Sequence, residues 1–158
     1  MTTSSPALLH GDLLDVVARR LAAATSPWEF GPETSADARH YALLVSTDVY
    51  DAWLIYWPPG TGLDPHDHGG SSGAFAVVTG TLDEDTVVDG GAATTRVGAG
   101  GSVTFDGNHV HAVVNRGDTP VTSVHVYSPP LRAMGYFQRN DDGTLVLNRV
   151  DEVESPNR

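Results

Sequence analysis

Two histidines spaced by one residue, His66 and His68, are followed further along the chain by a third, His111. If the first pair lies in a strand, both imidazoles share a face, because strand side chains alternate with period two. A third imidazole from a neighbouring strand would complete a three-nitrogen face around one divalent metal, with other positions left open. Imidazole suits iron, zinc, copper or nickel, whereas magnesium and calcium prefer oxygen. Open positions beside a transition metal point to a metal-dependent enzyme. His109 is the rival of His111, since residues two apart in a strand share a face and periodicity cannot separate them. His10 is expected on a helix surface with no role.

A chain of 158 residues has the length of one domain, and 40% apolar with 18% charged residues fits a folded globule. Twenty acidic residues against nine basic ones give a net charge of -11, which argues against nucleic acid and against an anionic membrane surface. There is no cysteine, so metal ligands must come from His, Asp, Glu or water. The N-terminus lacks the basic and apolar segments of a signal peptide, and no apolar run approaches the ~20 residues of a membrane span. The expectation is a cytoplasmic protein, either a monomer or a small homo-oligomer.

The elements that must position these histidines divide the chain unequally. Residues 1–30 read as an N-terminal helical segment. Between Pro6 and Ala24, the residues Leu9, Leu13, Val16, Val17 and Leu21, with Leu14 nearby, form a stripe expected to face the core. Ser5 before Pro6 is a reasonable N-cap, with Gly11 opening a second possible start near Asp12. Thr25-Ser26-Pro27 should end the helix.

Residues 39–150 change to short β-type runs broken by Gly, Pro, Asn and Asp. The runs are Arg39–Val45, Ala52–Trp57, Ala74–Val78, Thr81–Val88, Thr94–Val97, Ser102–Phe105, Val110–Val114, Val121–Tyr127 and Leu145–Val150. With no helices between them, they indicate a mainly β sandwich or barrel within a single domain spanning 1–158. The acidic run Asp83-Glu84-Asp85 is expected at a solvated strand edge, and the tail from Asp151 is expected to fray. Trp28, Trp53, Tyr56 and Trp57 read as core and rim packing. Met134, Tyr136 and Phe137 are candidates for an apolar wall. Asp67 should point away from its flanking histidines.

The spacing Gly60-(x5)-His66-x-His68-(x4)-Gly73-(x6)-Gly80 resembles the first signature of the cupin superfamily, with Gly73 where glutamate is usual. Gly100 to Asn115 resembles the second, and its His-x-x-x-Asn spacing favours His111 over His109. Trp57-Pro-Pro-Gly60, Pro65-His-Asp-His68 and Ser123-Val-His-Val-Tyr-Ser-Pro-Pro130 are similar to the cysteine dioxygenase family of thiol dioxygenases. The resemblance implies a jelly-roll β-barrel, mononuclear Fe(II), and oxidation of a small thiol to its sulfinate by O2. It makes His66, His68 and His111 the ligands. Three neutral imidazoles would leave the iron its full positive charge, able to accept a thiolate and lower the thiol pKa.

The resemblance also assigns Tyr127 an acid/base and oxygen-positioning role, supported by His125 and Ser123 on the same strand face. The thioether joining cysteine to tyrosine in many animal members is excluded here, because its cysteine position is Gly73. For the arginine that binds substrate carboxylate, counting back from Trp57 without gaps reaches His40. A one-residue loop difference near Ser46-Thr47-Asp48 would restore Arg39 instead, and Arg132 is the alternative. Cysteine is the first expected substrate and 3-mercaptopropionate the second. A non-catalytic metal- or ligand-sensing cupin and a zinc-dependent isomerase or hydrolase are the competing classes.

Overall fold

The computed structural model describes residues 4–26, 37–88 and 91–154. Pro27, Trp28 and the last part of the tail, which carry some of the expectations above, lie outside these residues. Helix α1 (Gly11–Ala24) is followed by eleven strands: β1 (His40–Ser46), β2 (Asp51–Trp57), β3 (Gly62–His66), β4 (Ser72–Thr79), β5 (Thr81–Val88), β6 (Gly91–Gly98), β7 (Ser102–Phe105), β8 (His111–Val114), β9 (Val121–Ser128), β10 (Ala133–Arg139) and β11 (Leu145–Glu152). They form a five-stranded sheet, β1-β2-β9-β4-β7, and a six-stranded sheet, β11-β10-β3-β8-β5-β6, antiparallel throughout. The expected barrel takes the form of these two facing sheets, and neither closes on itself.

Strands β2, β4 and β9 read as near-continuous apolar runs because both faces of their sheet are covered. Trp53, Ile55, Trp57, Phe75, Val77 and Tyr127 point inward and meet Leu82, Val97 and Val113 of the opposite sheet. The alternate residues Ala52, Leu54, Ala74, Ala76, Val124 and Val126 point outward and are covered by Leu14 and Ala18 of α1. Small residues at the β4 positions let the helix approach closely.

Several expectations are corrected. The helix begins at Gly11, at the second start expected near Asp12 and not at Pro6: the Leu9 N–H donates to Ser128 Oγ (2.9 Å), holding the preceding segment against the sheet. With that start, Leu14 and Ala18 are the buried positions, while Leu13 (59% exposed) and Val16 (43%) face outward. Two strands escaped the pattern, β3 with its internal Pro65 and β10. The tail is ordered further than expected, since β11 continues to Glu152 and the Val153 N–H donates to the Arg132 carbonyl (2.9 Å).

The acidic run is not a solvated edge. β5 is paired on both sides, by β6 and β8. Asp83 receives Arg96 Nε (3.0 Å) from directly across β6, and Arg116 bridges Asp83 and Asp85. Glu84 points the other way, into the interior beside Leu82, and is buried. No described helix is long and apolar enough to cross a membrane.

Candidate metal centre and cavity

His66 is the last residue of β3 and stands directly opposite His111, the first of β8; Tyr136 of β10 pairs with it on the other side. His68 lies two residues beyond β3. One ring nitrogen from each of His66, His68 and His111 falls within a 4.8 Å cluster, and all three side chains are buried. Asp67, between two of them, points away and accepts the Gly135 N–H (2.9 Å).

Hydrogen bonds fix which nitrogens are free. The His66 Nδ1–H donates to the Asp64 carbonyl (2.8 Å), which can only accept, so Nε2 carries the lone pair. The His111 Nδ1–H donates to the Glu84 carboxylate (2.7 Å), again leaving Nε2 free. Both nitrogens of His68 are buried and without any hydrogen-bond partner. An orphaned buried imidazole facing two free nitrogens is costly unless something completes it. A metal ion does so, and the residues fit one.

Burial keeps the cluster neutral. It lowers His66 to about 3, with the neighbouring His111 adding to the effect. Burial, then His66 and His111, holds His68 well below the usual imidazole range. His111 is lowered too, by burial, against the opposing pull of Glu84. Neutral imidazoles are the form that ligates metal. Glu84 goes the other way: burial alone would raise it, but the hydrogen bonds from His109 and His111 hold it at about 2. An ionised carboxylate behind a metal-facing histidine orients the ring and strengthens it as a donor.

Glu84 was therefore missed by sequence reasoning, which saw only an acidic run. Its signal was positional, because Leu82 and Glu84 share one strand face. His109 is separated from the three-histidine cluster: its Nε2 donates to Glu84 (3.2 Å), and it belongs to a second group with Glu84 and His111. Asn115 ties the chain behind β8 by donating to the Trp57 carbonyl (3.0 Å) and the Thr119 carbonyl (2.8 Å).

The opposite wall carries a connected chain of polar groups. Trp57 Nε1 donates to Ser123 Oγ (2.8 Å); Ser123 Oγ lies 2.8 Å from His125 Nε2, and His125 Nδ1 lies 3.5 Å from the Tyr127 hydroxyl. The period-two alternation of β9 puts these three side chains on the inner face. The Tyr127 ring stacks on His68 with centroids 5.2 Å apart. Phe105 also stacks on His68, with centroids 4.5 Å apart. A Cβ at Gly73 would clash with the edge of the Phe105 ring and lie 2.8 Å from the Val126 carbonyl oxygen, so the glycine is what admits the phenylalanine.

A cavity of about 440 Å³ opens beside Tyr127 and Tyr136, walled by Trp53, Ile55, Leu63, Leu131 and Met134. Arg39 lines it, with its guanidinium 5.3 Å from the Trp57 ring centroid; burial lowers its pKa from the ordinary value. Asp151, Glu152 and Glu154 lie along one side. His40 instead packs beside Tyr56 (6.3 Å), and Arg132 is exposed and does not line the cavity. Of the three proposed wall residues, Met134 and Tyr136 line it and Phe137 does not.

The position of Arg39 follows from a bulge. β1 and β2 pair from Ser46↔Asp51 to Val45↔Ala52, then slip by one residue so that Leu43 faces Trp53 and His40 faces Tyr56. The extra residue, Leu44, brings Arg39 opposite Trp57, where an unbulged ladder would put His40.

Residues 7–140 match the family model for cysteine dioxygenase type I. The chain belongs to that family. The matched stretch includes His66, His68 and His111. A search of curated protein sequences finds no match.

Solved structures share the fold at low identity. An oxalate oxidase in complex with the substrate analogue glycolate is 17% identical with a TM-score of 0.52, over 65% of this chain and 57% of that one. The TT1209 protein of Thermus thermophilus is 16% identical with a TM-score of 0.53, over 65% and 90%. An uncharacterised double-stranded β-helix protein of Klebsiella pneumoniae is 16% identical with a TM-score of 0.52, over 76% and 99%. The chain thus spans little more than half of the oxalate oxidase chain. These likenesses establish the cupin-like fold alone.

Proposed function

We propose that this protein is an iron-dependent thiol dioxygenase that converts L-cysteine and O2 to cysteine sulfinic acid. The observation that carries this reading is the buried cluster of three neutral imidazoles, with His68 unpartnered, lying next to the tyrosine that borders the Arg39 cavity. Three nitrogen donors suit iron, and the absence of a ligating carboxylate favours an anionic thiolate as a further ligand. Bound Fe(II) would supply a Lewis-acidic, redox-active centre at which thiol and O2 meet. Both oxygen atoms end on sulfur, so the reaction needs no other reductant.

The chain's own residues supply the rest. Arg39 stays charged in spite of burial and offers a planar fork for the substrate carboxylate, with the Trp57 ring as its platform. Tyr127 is held protonated, since burial raises its pKa, and its hydroxyl is the group that can donate a hydrogen bond at the reacting sulfur and oxygen. His125 and Ser123 stand behind it as orienting groups. The acidic side of the cavity, Asp151, Glu152 and Glu154, favours a substrate with an ammonium group and so supports cysteine ahead of 3-mercaptopropionate.

The test is O2 consumption by Fe(II)-loaded protein with cysteine, 3-mercaptopropionate and cysteamine, with products identified by mass. Cysteine sulfinic acid at one O2 per thiol is expected. No thiol-dependent uptake in iron-replete protein would overturn the reading in favour of a sensor or a non-redox enzyme. Arg39→Ala should raise KM for cysteine by about 10²-fold, as loss of a charged hydrogen-bonded partner implies, while Arg132→Ala leaves it unchanged.

A further inference from the structure

The cavity wall expected to be apolar carries one polar group, the Tyr136 hydroxyl. Tyr136 of β10 stands directly opposite His66 of β3 on one side and Arg149 of β11 on the other. Its ring centroid lies 5.9 Å from that of His66, and the Arg149 guanidinium covers the ring at 4.1 Å. Asp151 holds Arg149 there (3.3 Å). The stack fixes the ring, and a cation over a π face draws electron density from the phenol and makes its O–H a stronger donor. Among the described residues no hydrogen bond reaches this hydroxyl, although the half-buried residue lines the cavity.

Arg39 meets the same cavity from the edge of the other sheet, just before β1. Burial lowers its pKa, and no described carboxylate forms an ion pair with it. A desolvated cation without a counter-charge is costly, so the site calls for an anionic ligand. The groups that act on Arg39 are phenols, Tyr136 before Tyr41 and Tyr127. Tyr41 is 65% exposed, so water meets its hydroxyl with or without a ligand. Tyr127 stacks on His68 and serves the reacting centre. Tyr136 is the remaining donor. Burial raises its pKa, with Arg39 the strongest opposing charge, so it keeps its proton at neutral pH. An ionised carboxylate offers about four acceptor sites, more than one guanidinium fork fills.

We propose that Tyr136 is a substrate-binding residue whose hydroxyl donates to the substrate carboxylate, closing the Arg39 site from the opposite sheet and selecting thiols that carry an acid. The inference rests on the assignment of Arg39 to that carboxylate, and it does not depend on turnover.

The experiment is calorimetric titration of full-length, zinc-loaded protein, native and Tyr136→Phe, with cysteine, 3-mercaptopropionate and cysteamine. These carry both charged groups, the carboxylate alone and the ammonium alone. The variant should keep its zinc and bind cysteine and 3-mercaptopropionate about 10-fold more weakly, the scale of one hydrogen bond to a charged group, with cysteamine unchanged. Equal weakening of all three thiols, or loss of zinc, would make Tyr136 a prop for His66 and overturn the proposal. Weakening confined to cysteine and cysteamine would place the hydroxyl on the ammonium and overturn it too, as would three unchanged affinities. Absence of thiol binding by the native protein would remove the Arg39 assignment and this proposal together. Because zinc protein does not turn over thiol, failure of the O2 assay alone would remove the proposed reaction and leave this result standing.

Discussion

Of the three histidines, His66 and His111 stand at the ends of short strands in the six-stranded sheet and His68 just beyond one, whereas Ser123, His125 and Tyr127 sit inside one eight-residue strand of the five-stranded sheet. The ligand wall is irregular: β3 and β8 slip register between Leu63 and His66, and His68 lies beyond the strand altogether. The relay wall is more regular, with β9 buried along its whole length and paired without a slip to β2, and slipping against β4 only between Val77 and Thr79. Ligands must converge on a point, which a flat ladder cannot arrange, while a relay needs even spacing along a line, which a strand provides. The two walls should therefore respond to change in different currencies, metal occupancy on one side and turnover on the other.

The sharpest separation is expected from histidines. His111→Ala should lose iron altogether, by metal analysis of the purified protein, because the site falls to two nitrogens. His109→Ala should keep it. Iron retained in the first variant and lost in the second would exchange their roles.

On the relay wall, Tyr127→Phe should keep full iron and slow turnover by about 10²-fold, the scale of a positioned acid or base. An unchanged rate and unchanged coupling of O2 to sulfinate would reduce the residue to packing.

Glu84 tests whether the ligand wall extends behind its histidines. Glu84→Gln keeps the shape but removes the charge behind His111, and about a 10- to 100-fold loss of metal affinity is expected in a competition titration. Affinity equal to the native value would mean that the carboxylate only fills space.

Proton competition gives the smallest step for each residue. His66, His68, His111 and His125 all have pKa values lowered in the fold, so the unfolded chain binds more protons as pH falls below the ordinary value of 6.5. Stability of metal-free protein should be full above that pH and decline below it, through the range down to about 3 for His66. The slope is at most about 1.4 kcal/mol per pH unit for each histidine. Denaturant titrations at pH 7 and pH 5 measure it, and equal midpoints would contradict the neutral cluster.

What could be read from the sequence follows the same division. The β9 residues were legible because an uninterrupted period of two fixes which side chains share a face. The ligand histidines were legible through spacing, although β3 itself was hidden by Pro65 and its glycines. Glu84 was not legible, because its burial depends on His109 and His111 across β8, and a local acidic run resembles a solvated face. Leu13 and Val16 failed for a related reason: the face of α1 that docks on the sheet is the one carrying Leu14 and Ala18, a tertiary choice that no local pattern records.

The bulge at Leu44 makes the cavity's cation a matter of counting. One surplus residue in β1 decides whether position 39 or position 40 stands over Trp57. Removing Leu44 would leave Arg39 in place, because Val45↔Ala52 and Leu43↔Trp53 would then follow one another in a regular ladder. Keeping Leu44 but pairing it in a regular ladder would instead set His40 there, turning carboxylate recognition from a pH-independent property into one that fades above neutrality, while the three histidines of the opposite wall stay where they are.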